Sequence, residues 1–309
     1  MKVSIIIPTC NRAHLIGRAI RSVLNQTYKN FELIIINDGS TDNTEEVVRG
    51  FKDSRIIYLE LKENRGTSAV KNIGIKASKG IYVAFLDDDD QWLSEKLEKQ
   101  IDKIEKSPEI KIIYCGYRLL NEEGKTIKEI RPVFKEDIYN NLLRRNFIAL
   151  PTILVKKEIL EKTGLFDEEL NFGEDWDIFL RMAKSYKFDF VDQYLVDCFI
   201  FGKRLTTESL KDPSIRIFSL KKIIKKNIEE YQKKPEIYSC ALRSLGNSYC
   251  QGGNMNEGRN YFKKSIKNSP LNIKSYIYLI LSLFGINIYQ KVFRFALELN
   301  NIIFIKRDY

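Results

Sequence analysis

The sequence is poor in the residues that build several common kinds of site. It contains a single histidine, His14, on a predicted helix, where we expect a packing or solvated role rather than catalysis. The five cysteines are odd in number and form no C-x-x-C pair. This argues against a disulfide framework or a structural zinc site and is typical of a reducing compartment. No G-x-G-x-x-G motif follows the first predicted strand, which disfavours a dinucleotide-dependent oxidoreductase.

Long apolar runs are also lacking. We expect no signal peptide, because the first apolar run, Val3 to Ile7, ends at Pro8. The longest apolar stretch, Tyr276 to Tyr289, is interrupted by polar residues and a glycine, and we predict that it is too short to span a bilayer. With 44% hydrophobic and 30% charged residues, the composition is that of a globular protein, which we expect in the cytoplasm.

The positive net charge of +10 is unevenly distributed. From Ile215 to Tyr309 there are 17 Lys plus Arg against 6 Asp plus Glu, so the remainder is close to neutral. We expect two parts, a domain over 1–212 and a basic helical region over 213–309. The basic region has two interpretations, a solvated helical face or a surface for anionic membrane, on which the protein would be peripheral. It has no nucleic-acid-binding motif beyond its charge, and we expect no nucleic-acid partner.

Apolar segments of strand and helix length alternate through the first part of the chain. This pattern predicts an α/β fold with a mainly parallel sheet flanked by helices. The predicted strands are 3–7, 31–36, 55–59, 81–86 and 110–115, with a hairpin over 117–130; the predicted helices are 13–24, 41–51, 68–77, 93–106, 137–145, 156–162 and 176–185.

After Pro213 the pattern changes to helices only. We predict helices over 214–226, 235–251, 255–267 and 273–284. Glycines and aromatic residues near 246–262 are spaced like one tetratricopeptide-type helical pair. A single such pair is too little for a solenoid, so we favour a small helical cap.

Four successive carboxylates, Asp87 to Asp90, follow the predicted strand Ile81 to Leu86. Unpaired, they would repel one another, and Mg²⁺ or Mn²⁺ would remove that repulsion while keeping positions open for phosphates. An acidic helix N-terminus is the alternative, but it explains one or two aspartates better than four. We therefore predict a divalent-cation site.

Two further acidic clusters and a lysine are weaker signals when each is taken alone. Asn37-Asp38-Gly39-Ser40 follows a strand and suits either a turn or a contact from Asp38 to a base or ribose. In Gly173-Glu174-Asp175-Trp176-Asp177, Asp175 is a candidate general base, and Asp177 caps the helix or faces solvent. Lys71 either binds phosphate or is solvated.

Taken together, these motifs resemble the family 2 glycosyltransferases of the GT-A fold. The resemblance covers roughly residues 1 to 205 and is carried by the joint order and spacing of its motifs. These are Val3 to Arg12, Phe31 to Asp42, Lys71-Asn-Ile-Gly74, Phe85 to Trp92, Gly164-Leu-Phe-Asp-Glu168, and Glu174-Asp175 with Arg181.

The resemblance implies roles for individual residues. It places Asp175 as the base of an inverting reaction, Asp89 as the direct metal ligand, and Asp90, Glu174 and Trp176 in support. Thr9 and Asp38 would hold the nucleoside, and Asp87 and Asp88 belong to the DxD region. The full predicted donor-binding set is Pro8, Thr9, Asn11, Arg12, Asp38, Gly39, Lys71, Asp87 and Asp88. Arg181 matches a recurring basic position in the same helix as Asp175.

The sequence departs from the family pattern at three places. Asn37 stands where an aspartate is usual, and Lys71 replaces the more usual arginine, which removes a bidentate phosphate contact. The segment Phe201 to Ser209 lacks a histidine that is often found nearby, which leaves the donor-phosphate contacts of the Lys203–Thr207 loop open.

The implied reaction moves a sugar from a nucleotide-diphosphate sugar, with UDP the first choice, to a hydroxyl of a glycan or lipid-linked glycan, as in polysaccharide synthesis. The loops Thr163–Gly173 and Gly202–Ser209 are candidates to close over the donor. Two other hypotheses are a catalytically silent scaffold and a nucleotidyltransferase. A nucleotidyltransferase normally has a glycine-rich phosphate loop near the first strand, and Pro8 to Ala13 is not such a loop.

Overall fold

The computed structural model describes residues 2–134, 136–200 and 212–293. The chain forms two compact units. The first comprises Met1–Tyr139, Phe147–Leu170 and Glu174–Gly202; the second comprises Asn140–Asn146, Asn171–Gly173 and Lys203–Tyr309. The predicted boundary at 212/213 stays a prediction, because residues 201–211 lie outside the described part of the chain.

The first unit is built on one nine-stranded sheet. Its strands are β1 (Val3–Thr9), β2 (Phe31–Asp38), β3 (Ile56–Leu61), β4 (Tyr82–Phe85), β5 (Gln91–Trp92), β6 (Ile110–Leu120), β7 (Thr126–Ile130), β8 (Leu154–Lys156) and β9 (Lys187–Phe199). The order is β3-β2-β1-β4-β8-β6-β9-β5, with β7 beside β6. The sheet is mixed rather than mainly parallel: β3, β2, β1 and β4 are parallel neighbours, whereas β8, β7 and β5 pair antiparallel.

Helices connect and cover these strands. In the first unit they are α1 (Ile16–Leu24), α2 (Thr44–Arg49), α3 (Thr67–Ala77), α4 (Lys96–Lys106), α6 (Lys157–Thr163) and α7 (Glu174–Ala183); α5 (Ile138–Arg144) belongs mostly to the second unit. Each lies within a few residues of its predicted range. Helix α1 starts at Ile16, three residues later than predicted, because the backbone N–H groups of Leu15 and Ile16 first close a turn on the Arg12 carbonyl.

The alternation of side chains along β1 explains why both faces of the sheet are covered. Ile5 and Ile7 belong to the core cluster that includes residues of α1 and α4. Ile6 points to the opposite face, toward Gly74 of α3. All three isoleucines are fully buried, and full burial of such a side chain stabilises the fold by about 1.5–3 kcal/mol. The sheet edge where β1 ends is thereby held rigidly.

Strand β9 was not predicted, although it is the longest strand. Its sequence carries Asp189, Asp192 and Asp197, which interrupt the apolar pattern that predicts a buried strand. The strand forms because β6 supplies a parallel partner along most of its length, from Ile110 to Leu120. This pairing is a tertiary effect that local periodicity does not reveal.

The second unit is helical after residue 212, as predicted. Its helices are α8 (Pro213–Lys226), α9 (Ile228–Gln232), α10 (Pro235–Gln251), α11 (Met255–Asn268) and α12 (Ile273–Leu281), followed by a 3₁₀ turn over Ser282–Phe284. Helices α10 and α11 approach closely at Gly246 and Gly258. A Cβ atom on Gly258 would lie 2.2 Å from the Cys250 sulfur, so the glycine permits the packing.

The stretch Ile273–Phe293 corrects the prediction that the apolar C-terminal segment is too short to span a bilayer. Its 21 residues are long and apolar enough to cross a membrane, by length and composition alone. The backbone nevertheless breaks at Gly285, which has φ +82° after the 3₁₀ turn. Beyond the break Tyr289 is buried and donates a hydrogen bond to Asn247 Oδ1 at 2.8 Å. The stretch therefore folds back along the second unit.

Candidate active site

The carboxyl ends of β1, β2 and β4 lie side by side and carry the predicted donor-binding residues. Thr9 pairs in register with Asn37, and Ile6 of β1 pairs with Phe85, the last residue of β4. The aspartates 87–90 follow β4 directly. Three of the predicted polar clusters therefore share one edge of the sheet, which is where open α/β sheets bind ligands.

Asn11 holds the β1–α1 loop against the β2–α2 loop. Its backbone has φ +54°, a conformation that asparagine tolerates better than most residues. Its Oδ1 accepts hydrogen bonds from the backbone N–H of Thr41 at 2.8 Å and of Asp42 at 3.3 Å, and its own N–H donates to Ser40 Oγ at 2.9 Å. The structure thus gives Asn11 a loop-organising role; its predicted donor contact stays a prediction.

Asp38 is buried at the end of β2 and organises the loop before α3. Its two carboxylate oxygens accept the backbone N–H groups of Arg65 at 2.7 Å and Gly66 at 3.0 Å. Asn37, beside it, donates to Tyr58 Oη and accepts from the Ser40 N–H. A carboxylate offers about four acceptor positions, so these two bonds leave Asp38 capacity for a ribose hydroxyl.

Gly39 must be glycine at this turn. Its φ is +69°, and a Cβ atom would lie 2.9 Å from the backbone carbon of Glu63. The loop that bears Asp38 and the loop that precedes α3 therefore come into close contact at Gly39. The predicted site residue Gly39 therefore serves backbone packing next to Asp38.

The acidic turn after β4 contains one strongly perturbed carboxyl group. Burial raises the pKa of Asp88 to about 7. Contact with the Thr9 hydroxyl and the charge of Arg12 lower this pKa, whereas the neighbouring charges of Asp89 and Asp87 raise it. Thr9, Arg12, Asp87 and Asp89 thus all act on the one buried carboxyl group of Asp88, and perturbed groups of this kind are typical of functional sites.

Asp89 and Asp90 have different surroundings. Asp90 is buried, and its Oδ1 accepts the backbone N–H of Phe199 at 3.0 Å. Arg18 of α1 donates to the Asp89 carbonyl and stacks over the Phe199 ring at 3.6 Å. The side chain of Asp89 is only partly buried. Asp90 therefore anchors the turn to β9, and Asp89 is the more accessible of the two.

Lys71 joins the acidic turn to the start of α7. Its Nζ lies 2.9 Å from Glu174 Oε1, and its side chain is 3% exposed. Burial lowers the pKa of Lys71, but the charges of Glu174, Asp87 and Asp175 outweigh burial, so that the pKa is raised overall. In turn, burial raises the pKa of Glu174, but Lys71 reverses the effect and lowers it. The lysine is thus an ammonium ion surrounded by three predicted site carboxylates.

The segment between α6 and α7 is tied to α3. Asn72 donates to the Phe166 carbonyl at 2.9 Å and accepts the Phe166 N–H at 2.9 Å, and Ser68 donates to the Leu170 carbonyl at 3.0 Å. These contacts anchor the stretch Thr163–Gly173 that we predicted as a closing loop. Whether it closes over a donor stays a prediction.

Asp175 lies in the first turn of α7, where the helix dipole stabilises a negative charge. Its Oδ1 accepts the N–H of Trp176 at 2.7 Å. The Trp176 side chain is itself buried, so it packs rather than faces the rim. Asp177 is buried and pairs with Arg181 Nε at 3.0 Å, which differs from the expected cap or solvent-facing role.

Arg181 of α7 has a structural role at the C-terminal end of α6. Its two terminal nitrogens donate to the carbonyls of Thr163 at 2.7 Å, Gly164 at 2.5 Å and Leu165 at 2.8 Å. The guanidinium therefore joins α7 to the turn after α6, which fixes the position of the helix that carries Asp175.

The structure thus brings together two overlapping groups of predicted residues. One group comprises Thr9, Arg12, Asp87, Asp88 and Asp89; the other comprises Lys71, Asp87, Glu174 and Asp175. Asp87 belongs to both.

Four other predicted residues have partners elsewhere: Asp38 and Asn11 in the loops, Asp90 on β9 and Trp176 within α7. Sequence reasoning missed Arg18, which lies 71 residues from Asp89 and carries no local signal. The predicted loop Gly202–Ser209, with its Lys203–Thr207 contacts, lies outside the described residues.

Within residues 2–134, 136–200 and 212–293, no group of three or more His, Cys, Asp or Glu side chains is arranged to hold a metal ion by itself. Asp87 to Asp89 still supply the hard oxygen donors that Mg²⁺ and Mn²⁺ prefer. A cation bound by one or two of these carboxylates, with phosphate oxygens completing its shell, is compatible with such an arrangement.

Residues 4–164 match the sequence profile of the family described as Glycosyl transferase family 2. The chain belongs to this family. The glycosyltransferase is 36% identical over 183 residues to the Escherichia coli protein UDP-Glc:alpha-D-GlcNAc-diphosphoundecaprenol beta-1,3-glucosyltransferase WfgD, a match that covers 59% of this chain and 70% of the relative. It is 32% identical over 211 residues to an uncharacterized glycosyltransferase of Haemophilus influenzae, and this match covers 68% of this chain and 82% of the relative.

Other relatives are much longer than the aligned region. The match to a Rickettsia conorii glycosyltransferase, 36% identical, covers 69% of this chain and 35% of the relative. A Rickettsia bellii relative is matched over 26% of its length.

The fold is shared with solved structures. The S. aureus TarS 1-349 structure in complex with UDP-GlcNAc superposes with a TM-score of 0.67 at 18% identity and covers 94% of this chain and 90% of that chain. The Pyrobaculum calidifontis mannosyltransferase PcManGT, in complex with GDP-Man and Mn²⁺, has a TM-score of 0.56 at 16% identity, over 99% and 88% of the two chains. The predicted GT-A fold with a helical C-terminal region is confirmed, and so is the assignment to a glycosyltransferase family.

Proposed function

We propose that this glycosyltransferase moves a sugar from a UDP-sugar to a hydroxyl of a lipid-linked glycan, with inversion at the anomeric carbon. The observation that carries the proposal is the buried ion pair of Lys71 with Glu174, the residue before Asp175, at 2.9 Å. The charges of Asp87 and Asp175 also raise the pKa of this lysine. This arrangement supports a candidate base close to the acidic turn that would receive the donor diphosphate. The names of two similar proteins support the donor class and the acceptor class: TarS 1-349 was solved with UDP-GlcNAc, and WfgD uses UDP-Glc and a diphosphoundecaprenol-linked sugar.

The residues at the end of β1 and β2 would position the nucleoside. Asp38 accepts ribose hydroxyls with its remaining lone pairs, and Thr9 lies at the junction of the nucleoside and the acidic turn. Fixing the donor in this way lowers the entropic part of the barrier.

The acidic turn would hold Mg²⁺ or Mn²⁺, with Asp89 as the direct ligand. Asp88 is buried, and the neighbouring charges of Asp89 and Asp87 raise its pKa further. A bound cation would offset this repulsion between carboxylates. When bound, such a cation supplies Lewis-acid stabilisation of the diphosphate that leaves. Lys71 is paired with Glu174, so we assign it the role of fixing the start of α7 beside the turn.

Asp175 would act as the general base. The acceptor oxygen loses its proton to the Asp175 carboxylate, forms the bond to the anomeric carbon, and the bond from that carbon to the diphosphate oxygen breaks. A single base opposite the leaving group implies in-line attack, and hence inversion. Glu174 is held by Lys71, and Asp175 follows it in the first turn of α7.

A panel of nucleotide sugars tests the donor class. A ligand at about one hundred times its Kd adds about 2.7 kcal/mol to the free energy of unfolding. We expect UDP-sugars with Mn²⁺ to raise the Tm, and the same sugars with chelator, or GDP-sugars with Mn²⁺, to raise it much less. A larger shift with GDP-mannose than with every UDP-sugar would contradict the UDP assignment.

A further inference from the structure

Helix α12 is attached to the bundle partly through hydroxyl side chains and leaves much of its apolar surface exposed. Ser275 is fully buried, and its hydroxyl lies 2.8 Å from the hydroxyl of Ser265 on α11. Ser265 in turn exchanges hydrogen bonds with Ser239 on α10. Small hydroxyl side chains thus join the inner face of α12 to the bundle, beside apolar residues such as Tyr278 that are partly buried against Phe262.

The outward face carries an apolar ridge. Four of its members repeat at helical spacing, and the ridge continues through the 3₁₀ turn. It comprises Ile273, Tyr276, Ile277, Ile280, Leu283 and Phe284, all of them exposed large hydrophobic residues. Exposed apolar patches of this kind mark a surface that binds something apolar.

The positive charge around the ridge indicates which kind of partner it binds. From Gly258 to Leu297 the sequence has no Asp or Glu, whereas it has seven basic residues: Arg259, Lys263, Lys264, Lys267, Lys274, Lys291 and Arg294. Lys267 and Lys274 are exposed. A second copy of the chain would bring a like-charged surface against this one, which repulsion disfavours. An anionic lipid surface matches both the charge and the apolar ridge.

We propose that the apolar ridge and the lysines around it bind an anionic membrane surface. The ridge residues enter the boundary between headgroups and acyl chains, and the lysines contact lipid phosphates. The helix lies in the plane of the interface rather than crossing it, because Gly285 breaks the stretch and Tyr289 docks back on Asn247. Membrane binding would concentrate the enzyme where a lipid-linked acceptor resides, but it requires neither donor nor acceptor.

Vesicle flotation with the full chain tests this proposal. At low salt, we expect co-flotation with phosphatidylcholine vesicles that contain about one third phosphatidylglycerol, and affinity at least about tenfold lower for pure phosphatidylcholine. Ile277→Asp/Ile280→Asp should abolish flotation, and Lys267→Glu/Lys274→Glu should reduce it about tenfold or more. The matched control is Ile81→Asp: Ile81 is 58% exposed in the first unit, against 50% for Ile277 and 55% for Ile280.

Three results would overturn the proposal. They are no flotation of the wild-type chain, equal binding to neutral and anionic vesicles, and wild-type flotation by both double variants. Sedimentation of the same proteins identifies the alternative occupant: a wild-type dimer that the ridge variant converts to monomer, without vesicle binding, would assign the ridge to self-association. Thermal shift with UDP-sugars is measured in parallel, so that failure of membrane binding is distinguished from failure of donor binding.

Discussion

Lys71 Nζ lies 2.9 Å from Glu174 Oε1, an ion pair between α3 and the first residue of α7 in which the lysine is 3% and the glutamate 18% exposed. The two residues are 103 positions apart in the chain. This pair fixes the start of the helix that carries Asp175 beside the acidic turn after β4. It is therefore the contact on which the geometry of the proposed reaction depends most.

Removal of the lysine should destabilise the fold. Lys71→Met leaves Glu174 largely buried without its partner, and breaking a buried pair in this way costs about 3–5 kcal/mol, with the lower end expected because Glu174 is partly exposed. Urea unfolding measures the loss. The control is Lys162→Met, since the pair Lys162–Glu158 is 61% and 49% exposed and should contribute little. Equal stability of Lys71→Met and wild type would show that the pair does not hold α7.

The adjacent residues Asp89 and Asp90 should respond differently to truncation. Asp89→Ala should abolish metal-dependent transfer and leave the Tm nearly unchanged. Asp90→Ala should lower the free energy of unfolding by about 1–3 kcal/mol, because the buried Phe199 N–H loses its acceptor. Transfer assays with and without chelator, beside thermal melts, separate the two effects. Full activity of Asp89→Ala, or unimpaired wild-type activity in chelator, would remove the metal role.

A buried lysine outside the site makes stability depend on pH. Burial lowers the pKa of Lys96 from 10.5 to about 8, while its Nζ donates to Gln100 Oε1 at 2.8 Å. Above pH 8 the unfolded chain holds this proton more tightly than the folded chain does, so stability rises with pH. We expect Lys96 to raise the free energy of unfolding by about 1 kcal/mol between pH 8 and 9. Cys115 and Cys250 oppose this rise, because burial raises their pKa to about 11 and the unfolded thiols already ionise near pH 9.

Lys96→Met should remove this rise. The comparison of wild type and variant by denaturant unfolding at the two pH values isolates the lysine from other titrating groups. A rise of the same size in both proteins would show that Lys96 is not its source.

The sequence predicted well what local patterns determine. Buried runs such as Val3 to Ile7 predicted strands, and the positions of Thr9, Asp38 and Asp87 just after strands placed them at one edge of the sheet. Helix Pro235–Gln251 was predicted with its observed bounds. In each case the periodicity or the adjacent turn residues carry the information.

What the sequence did not predict depends on contacts between distant segments. Strand β9 forms because β6 pairs with it, and Asp90 is an anchor because Phe199 lies opposite. The ion pair of Lys71 with Glu174 joins residues 103 positions apart and has no local signal, while the predicted phosphate contact of Lys71 stays a prediction. The sequence marked Tyr276 to Tyr289 as strongly apolar, with an anionic membrane surface as one interpretation. Which of its side chains are exposed, such as Ile277 and Ile280, depends on how α12 packs in the bundle.

The Asp175→Asn variant tests the central claim most directly, since it keeps the size and shape of the side chain and removes its basicity. We expect donor binding with Mn²⁺, measured by calorimetry, to be unchanged, and sugar transfer in a single turnover to fall about 10²–10⁴-fold. Asp177→Asn is the matched control: it should lower the Tm through the loss of the Arg181 pair and leave the transfer rate of the folded enzyme within a few-fold. Transfer by Asp175→Asn at the wild-type rate would contradict the account.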